Sequence, residues 1–300
     1  MSDIENIITT SPSPARYFAN MPRDEYRQSI GMNPSSLAKG LLGTEDVNPA
    51  AVKLAWETPD SSPGTIAAQD RMDRGTLAHL LILQPELILK RVAEWHGGKR
   101  AGKEWDAFVD NNPGRLIITS KDYKAVSMAT NAMRTNPRVN ELFCGINAEV
   151  ALFGTEPCKL MNGHIMVKGQ VDAINVATKT IVDLKTTDSG IDKKAIERTV
   201  RNLHYREKMA MYRRLVARAT NTEAGEWKCF NVFMLMKEPY GVVIGKFMDG
   251  VLEWADKRMA DSLDAVEQCI ANQTWPIYSR EDFLGMEHWE SDEEDIDYDE

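Results

Sequence analysis

Two aspartates stand in two neighbouring apolar segments, Gln170–Ile174 and Thr180–Leu184, and a lysine directly follows the second. Both segments carry β-branched residues, and the stretch between them has hairpin length, so the pattern predicts two strands joined by a turn. Side chains alternate along a strand, so Asp183 and Lys185 share one face, and Asp172 belongs to the first strand. An Asp and a Lys at such a position are costly to desolvate, and a divalent cation with a phosphate would compensate that cost.

Each of these side chains has a separate task in the hydrolysis of a phosphodiester bond. The carboxylates of Asp172 and Asp183 are hard ligands for Mg²⁺, with Mn²⁺ as a second choice, and such a metal lowers the pKa of a bound water. Lys185 would orient or activate that water and screen the developing charge. A solvated hairpin with an Asp/Lys pair is the alternative, and a bare D-x-K triplet would favour it.

The complete run is more specific than the triplet. G-x-V-D followed by I-V-D-L-K-T-T resembles the core of the PD-(D/E)XK nucleases, and the Thr186-Thr187 ending is similar to their exonuclease VIII (RecE-type) branch. The resemblance implies an α/β (α+β) fold, in which helices flank a central mixed β-sheet and the N-terminal part is helical. It also implies a phage or prophage source and the backbone carbonyl of Leu184 as a further metal ligand.

Two residues outside this run become candidates for the metal site through the same resemblance. The motif G-T-x-x-H, which ends at His79 and is followed by L-x-P-E, resembles the N-terminal signature of these nucleases, whose histidine lies at the metal site. Without the resemblance, a lone His on an apolar helix is more often a core residue. Glu149 starts the strand predicted before Asp172, where the superfamily often has another acid, although alone it would be a surface strand residue.

A glycine-spaced basic loop is one candidate for DNA binding. It carries Lys99, Arg100 and Lys103. Cationic side chains and backbone amides of such a loop can approach a phosphate backbone closely. An ordinary solvated loop is an equally good interpretation.

A second candidate for DNA binding lies on one long helix, predicted from about Lys193 to Ala219. Tyr205, Lys208 and Tyr212 fall on one face of this helix. The two tyrosines match the ends of the family pattern Y-x-x-Q-x-x-x-Y, and Lys208 stands in place of its glutamine. A lysine can bind phosphate as a point charge where a glutamine would donate a hydrogen bond.

Composition divides the chain into three parts: a loosely held N-terminal arm (1–30), one nuclease domain (31–280) and a disordered acidic tail (287–300). The tail holds nine acids and no Lys or Arg, which accounts for the whole formal net charge of −9 and leaves a neutral body that can carry a basic groove. The cysteines are too scattered for a metal or iron-sulfur site and are predicted core thiols. The sequence has no long apolar run and no signal peptide, so we expect a soluble protein in the cytoplasm, that of the host cell if phage encoded.

The function favoured at this point is a metal-dependent deoxyribonuclease. The resemblance implies an exonuclease that degrades double-stranded DNA from its ends, 5′ to 3′, as a ring-shaped homo-oligomer that works with a single-strand annealing recombinase. The alternatives are a structure-specific or restriction-type endonuclease on the same core and a non-catalytic DNA-end-binding recombination scaffold. The joint presence of Asp172, Asp183 and Lys185 argues against the scaffold, because a binding protein has no need of a costly metal site.

Overall fold

A computed structural model describes residues 4–42, 46–58 and 65–277 of the chain. The α-helices in these ranges are α1 (Arg23–Gln28), α2 (Pro34–Lys39), α3 (Pro49–Glu57), α4 (Ile66–Leu83), α5 (Ile88–Arg91), α6 (Lys103–Asp110), α7 (Ser120–Arg134), α8 (Pro137–Leu142), α9 (Lys193–Asn202), α10 (Tyr205–Thr220) and α11 (Asp249–Asn272). The strands are β1 (Ile8–Thr9), β2 (Arg16–Phe18), β3 (Leu41–Leu42), β4 (Asp46–Val47), β5 (Val92–Trp95), β6 (Leu116–Thr119), β7 (Asn147–Pro157), β8 (His164–Asn175), β9 (Thr180–Thr187), β10 (Lys228–Leu235) and β11 (Val242–Lys246).

One mixed sheet carries the fold, with the strand order β11-β10-β9-β8-β7-β2 and with β1 paired to β8. The motif strands β8 and β9 are antiparallel, whereas β9 and β10 are parallel. Parallel neighbours need a crossover connection, and α9 and α10 provide it. Helices flank this central sheet, so the predicted fold class is confirmed. None of the helices in the described ranges has the length and apolarity that crossing a membrane requires.

Apolar side chains cover both faces of the sheet. On one face, Met209 and Leu215 of α10 pack with residues of α2 and α11. On the other face, Leu77 of α4 and Val126 of α7 belong to one apolar cluster with Val182 of β9. Burial of apolar area at about 25 cal/mol per Å² is the main stabilising contribution of both cores. The two helices nearest the motif strands, α4 and α10, therefore lie on opposite faces.

The N-terminal segment differs from the loosely held arm that the sequence predicts. Ile7 is fully buried, and β1 and β2 pair with β8 and β7. Lys168 of β8 extends under α1 and donates hydrogen bonds to three backbone carbonyls, those of Tyr26, Arg27 and Ser29, at 2.9, 3.3 and 2.6 Å. Residues 4–42 are therefore built into the sheet and its helical cover. The predicted acidic tail, 287–300, lies outside the described residues.

The helix that the sequence predicts from about Lys193 to Ala219 is interrupted. The chain leaves α9 after Asn202, and His204 adopts a left-handed backbone conformation with φ 53°. A residue in that conformation ends a helix, because the next peptide can no longer continue the same hydrogen-bond ladder. The second helix therefore begins at Tyr205, close to Lys185 of the motif strands.

Candidate metal centre

Asp172 and Asp183 lie where the pairing of β8 and β9 ends. Ala173 of β8 is paired with Val182 of β9. The two aspartates are the next residues on each strand in the direction away from the connecting turn. At this point the backbone N–H of Leu184 donates a hydrogen bond of 2.6 Å to Asp172 Oδ2. The carboxylate thus links the two strands beyond the end of their ladder.

Lys185 is held by Asp183, through an ion pair between Nζ and Oδ2. Its ammonium also lies 4.7 Å from the centre of the Tyr205 ring, a cation–π distance. Burial opposes the charged form of Lys185, but Asp183 and Asp172 outweigh it and raise the pKa of the ammonium. Lys185 is therefore a protonated donor in this site and serves to orient groups and screen charge.

His79 lies on α4 at the site, beside the buried Leu77 and Leu80. Its Nδ1 is 3.5 Å from Asp172 Oδ1 and 3.8 Å from Glu149 Oε1, and its side chain is 28% exposed. Burial lowers the pKa of His79, but the two carboxylates outweigh it, so the pKa is raised. The imidazole thus faces acids at a solvent-accessible surface while its helical neighbours fill the core.

Gly75 explains how α4 comes so close to the motif strands. A Cβ at this position would lie 3.2 Å from Thr186 Oγ1 of β9, closer than most side chains allow. His79 follows one turn later on the same side of the helix. The G-T-x-x-H motif therefore has a physical basis, since the glycine permits the approach that brings the histidine to Asp172.

Glu149 lies opposite Asp172 on the adjacent strand, since Ala148 and Val150 are paired with Ala173 and Val171 on either side. Its backbone φ is 48°, in the left-handed region that L-residues rarely occupy. Such a backbone conformation persists only where the surrounding fold stabilises it. Conformations of this kind are concentrated at functional sites.

Gln170 holds the Glu149 carboxylate, with its Nε2 donating to Oε2 at 3.1 Å. Gln170 is not among the site residues that the sequence predicts. A usable signal was present, because Gln170 stands two residues before Asp172 on the same strand and therefore on the same face.

His79, Glu149 and Asp172 fit a divalent cation. One ligand atom from each lies within 4.8 Å of the others. Cations bind such oxygen and nitrogen atoms at about 2.0–2.6 Å, so one ion can contact all three. Carboxylate-rich donors with one imidazole suit Mg²⁺ or Mn²⁺. Asp183 lies beside these three residues and forms an ion pair with Lys185. The backbone carbonyl of Leu184 stays a predicted metal ligand.

Burial outweighs the positive charges of His79 and Lys185 in setting the pKa of the Asp172 carboxyl. Burial raises the pKa of its carboxyl from 3.8 to about 7. His79 lowers this pKa, and the neighbouring acids Asp183 and Glu149 raise it. A bound cation would favour the deprotonated carboxylate, which is the form in which metal ligands bind.

A cavity of about 280 Å³ opens on these ligands. Arg91 and Met21 line its wall. Neither residue is predicted from the sequence, since nothing in the local pattern of either segment indicates proximity to Asp172. Arg91 places a cationic group in the wall of the cavity that contains Glu149 and Asp172.

The predicted basic loop is placed beside α4. Arg100 forms an ion pair with Asp70, and its guanidinium also lies 3.6 Å from Asp122, so two carboxylates of the protein hold this side chain. Lys99 and Lys103 are exposed. Asp70 precedes His79 by nine residues on α4, so the contact between Arg100 and Asp70 lies about 14 Å from His79 along the helix axis.

Tyr205, Lys208 and Tyr212 all lie on α10 near the motif strands. Lys208 Nζ is 5.5 Å from the Tyr205 ring centre, and burial together with the Lys185 ammonium lowers its pKa to about 8. Tyr212 packs on Gly169, where a Cβ would meet its ring at 2.9 Å. The structure thus groups these three residues on the site side of α10.

A family model described as a PDDEXK-like domain of unknown function (DUF3799) matches residues 34–282. No curated protein matches the sequence.

Solved structures resemble the fold. A candidate exonuclease from Eubacterium rectale has a TM-score of 0.59 at 13% sequence identity, covering 91% of this chain and 99% of the other. A phage-related exonuclease from Haemophilus somnus has a TM-score of 0.35 at 11% identity, covering 83% of this chain and 100% of the other. The first similarity extends over nearly the whole of both chains and supports a shared architecture.

Proposed function

This chain belongs to the PDDEXK-like family DUF3799, and on that premise we propose that it is a metal-dependent deoxyribonuclease. The family match supports a nuclease. The observation that carries the proposal is the convergence of His79, Glu149 and Asp172, within 4.8 Å of one another, beside the Asp183–Lys185 ion pair.

Each residue of the centre has a role in phosphodiester hydrolysis. A bound Mg²⁺ supplies a Lewis acid and lowers the pKa of a coordinated water. Asp172 is held in place by the Leu184 N–H, and Glu149 by Gln170. The protonated Lys185 donates hydrogen bonds where negative charge develops on the phosphate, and donors fixed in advance need no reorganisation during the reaction.

Within this class, we favour an exonuclease that acts on the ends of double-stranded DNA, 5′ to 3′, and leaves single strands for recombination. The Eubacterium rectale protein, which shares the fold, is itself described as a candidate exonuclease. A ring-shaped homo-oligomer and a single-strand annealing recombinase as partner belong to the same proposal.

The test compares linear duplexes labelled at the 5′ or the 3′ end with covalently closed circles, in Mg²⁺, in Mn²⁺ and in chelator. We expect metal-dependent release of nucleotides from the linear duplex and no cutting of the circle. Loss of label from the 5′ end first would support the proposed direction.

Matched variants separate the alternatives. Asp183→Asn keeps the shape of the side chain and removes its charge, and it should eliminate nucleotide release. Cutting of closed circles by the wild type, but not by this variant, would identify an endonuclease. DNA binding without any metal-dependent release would leave the non-catalytic scaffold.

A further inference from the structure

A second cavity, of about 470 Å³, lies between α9 and strands β10 and β11. Most of its wall is apolar, with Ile196, Phe233 and Val243 among the lining residues. The cavity is distinct from the one that opens on Asp172, and no step of the proposed hydrolysis uses it.

This cavity begins one strand away from the candidate metal centre. In the parallel register of β9 and β10, Asn231 is paired with Asp183, and Phe233 with Lys185. Paired residues of neighbouring strands point to the same face, and the strands are about 4.8 Å apart. Successive nucleotides along one DNA strand are spaced by a similar length, about 3.4 Å. A group bound in the cavity would therefore lie next to a phosphate at the metal centre.

Asn231 is a polar group without a partner inside this apolar cavity. It is 1% exposed, and neither its Nδ2 nor its Oδ1 finds a hydrogen-bond partner within the part of the chain that the structure describes. Keeping a buried amide in this state destabilises the folded protein. Buried polar groups in proteins are normally hydrogen-bonded, and a bound ligand would give the Asn231 amide the partners that it lacks.

The chemistry of the amide indicates what kind of ligand would fit. Asn231 offers one donor and one acceptor side by side, which matches the adjacent acceptor and donor on the edge of a nucleobase. Phe233 is only 2% exposed, but its aromatic side chain lines the cavity on the same face of the strand, and bases stack on such rings. Lys246 and Lys193, with Glu197, give the lining a net positive charge that suits the attached phosphate.

Gly245 keeps the space beside the amide open. It is paired with Asn231 across β10 and β11 and also lines the cavity. A Cβ there would meet only ordinary contacts, 3.8 Å from the Asn231 carbonyl and from Phe233 Cε2. The glycine is therefore not needed for backbone conformation or packing, and any larger side chain at this position would occupy the cavity.

An aromatic path connects the cavity with the reaction site. The Tyr205 ring lies 4.7 Å from Lys185 Nζ on one side and 6.3 Å from the Phe233 ring on the other. Bases stack on aromatic side chains independently of sequence, so the two rings mark the direction from the scissile phosphate to the cavity.

We propose that the cavity binds one unpaired nucleobase of the DNA strand whose backbone lies at the metal centre. The base stacks on Phe233, and its edge pairs with the Asn231 amide. This inference rests on the proposed nuclease function and adds a substrate requirement to it: the base pair next to the cleavage point must open before the strand is cut.

The experiment uses linear duplexes with the fluorescent base 2-aminopurine at one of the last positions of a strand, bound in Ca²⁺ to suppress cleavage. We expect a saturable change in fluorescence at one position. The series Gly245→Ala, Gly245→Val and Gly245→Leu should reduce it stepwise as the cavity fills. Gly225→Ala is the control, since a Cβ there meets nothing within 4 Å.

Asn231→Leu provides an independent second variant. It removes the unpartnered amide, so it should raise the melting temperature of the free protein and weaken capture of the base by about tenfold. Loss of both fluorescence change and stability would indicate a folding defect in this variant, and the Gly245 series then decides the outcome.

Anisotropy of a labelled duplex separates this inference from the function on which it rests. If the protein binds and cleaves DNA while Gly245→Leu shows the same fluorescence change as wild type, the base pocket is wrong and the nuclease stands. A response to free 2-aminopurine deoxynucleotide but not to the labelled duplex also overturns it. Absence of any DNA binding rejects the nuclease proposal itself.

Discussion

The carboxylate of Asp172 accepts a hydrogen bond from the backbone N–H of Leu184 at 2.6 Å. A candidate metal ligand on β8 therefore fixes the backbone of β9 between Asp183 and Lys185. The metal centre and the local geometry of the strands depend on the same side chain, so substitutions at Asp172 must keep a hydrogen-bond acceptor if the fold is to be preserved.

Metal affinity should depend on pH through Asp172. Its pKa is raised to about 7 by burial, and metal binding must displace the proton. We expect the apparent affinity for Mn²⁺ to fall by up to about tenfold per pH unit below this value and to level off above it. Isothermal titration calorimetry at several pH values measures this, and affinity independent of pH would contradict the assignment.

The same carboxyl should influence the stability of the metal-free protein. Between its ordinary pKa of 3.8 and about 7, the folded state binds more protons at Asp172 than the unfolded chain does, so stability falls as the pH rises. Asp172→Asn keeps an acceptor for Leu184 and removes the charge. In urea titrations above pH 7, the metal-free variant should be more stable than wild type, and addition of Mn²⁺ should reduce or reverse that difference.

Asp183→Ala and Lys185→Met should both abolish hydrolysis, by several orders of magnitude, because charge stabilisation at the metal centre is lost. The two variants differ in metal binding. Lys185→Met leaves the acids available and should still bind Ca²⁺, whereas Asp183→Ala should bind it more weakly. Normal turnover by Asp183→Ala would refute its role as a ligand, and circular dichroism of both variants controls for folding.

His79→Ala distinguishes a site residue from a core residue. Its imidazole is 28% exposed and faces Asp172 and Glu149, and alanine is a good helix former, so we expect a nearly unchanged melting temperature. Metal-dependent activity should fall by about 10- to 100-fold, as for other ligand-shell substitutions. Equal activity per folded molecule together with a lower melting temperature would assign His79 to the core.

Lys168→Met tests how the N-terminal segment is attached. The variant keeps most of the side-chain volume but leaves three carbonyls at the end of α1 without their donor, at a cost of about 1–3 kcal/mol. Limited proteolysis should then cut first near α1, with Mn²⁺ affinity unchanged. A protease pattern like that of wild type would show that strand pairing alone holds the segment.

The parts of the fold that could be predicted from sequence are those with a local pattern. The β-branched runs around Asp172 and Asp183 become β8 and β9, and the apolar helix expected around His79 becomes α4, Ile66–Leu83. In each case the spacing of apolar residues reports directly on the face that is buried, and short-range geometry determines the outcome.

Other parts depend on contacts that no local pattern records. The left-handed φ of Glu149 is imposed by its neighbours, since a glutamate has no preference for that region. The apolar periodicity of the sequence continues across His204, so the sequence predicts one helix where the structure has two. Asn231 stands in an otherwise apolar strand, and its place beside Asp183 follows only from the register of a crossover.

The pairing of β2 with β7 bears on how this protein can be handled. A three-residue strand, Arg16–Phe18, forms the margin of the sheet next to the eleven-residue β7. Short marginal strands protect longer ones from adding strands of other molecules. A chain shortened to begin after Asn20 would present the backbone of β7 to its neighbours, and we expect it to self-associate as its concentration rises. Residues 16–18 therefore keep β7 from pairing with other molecules.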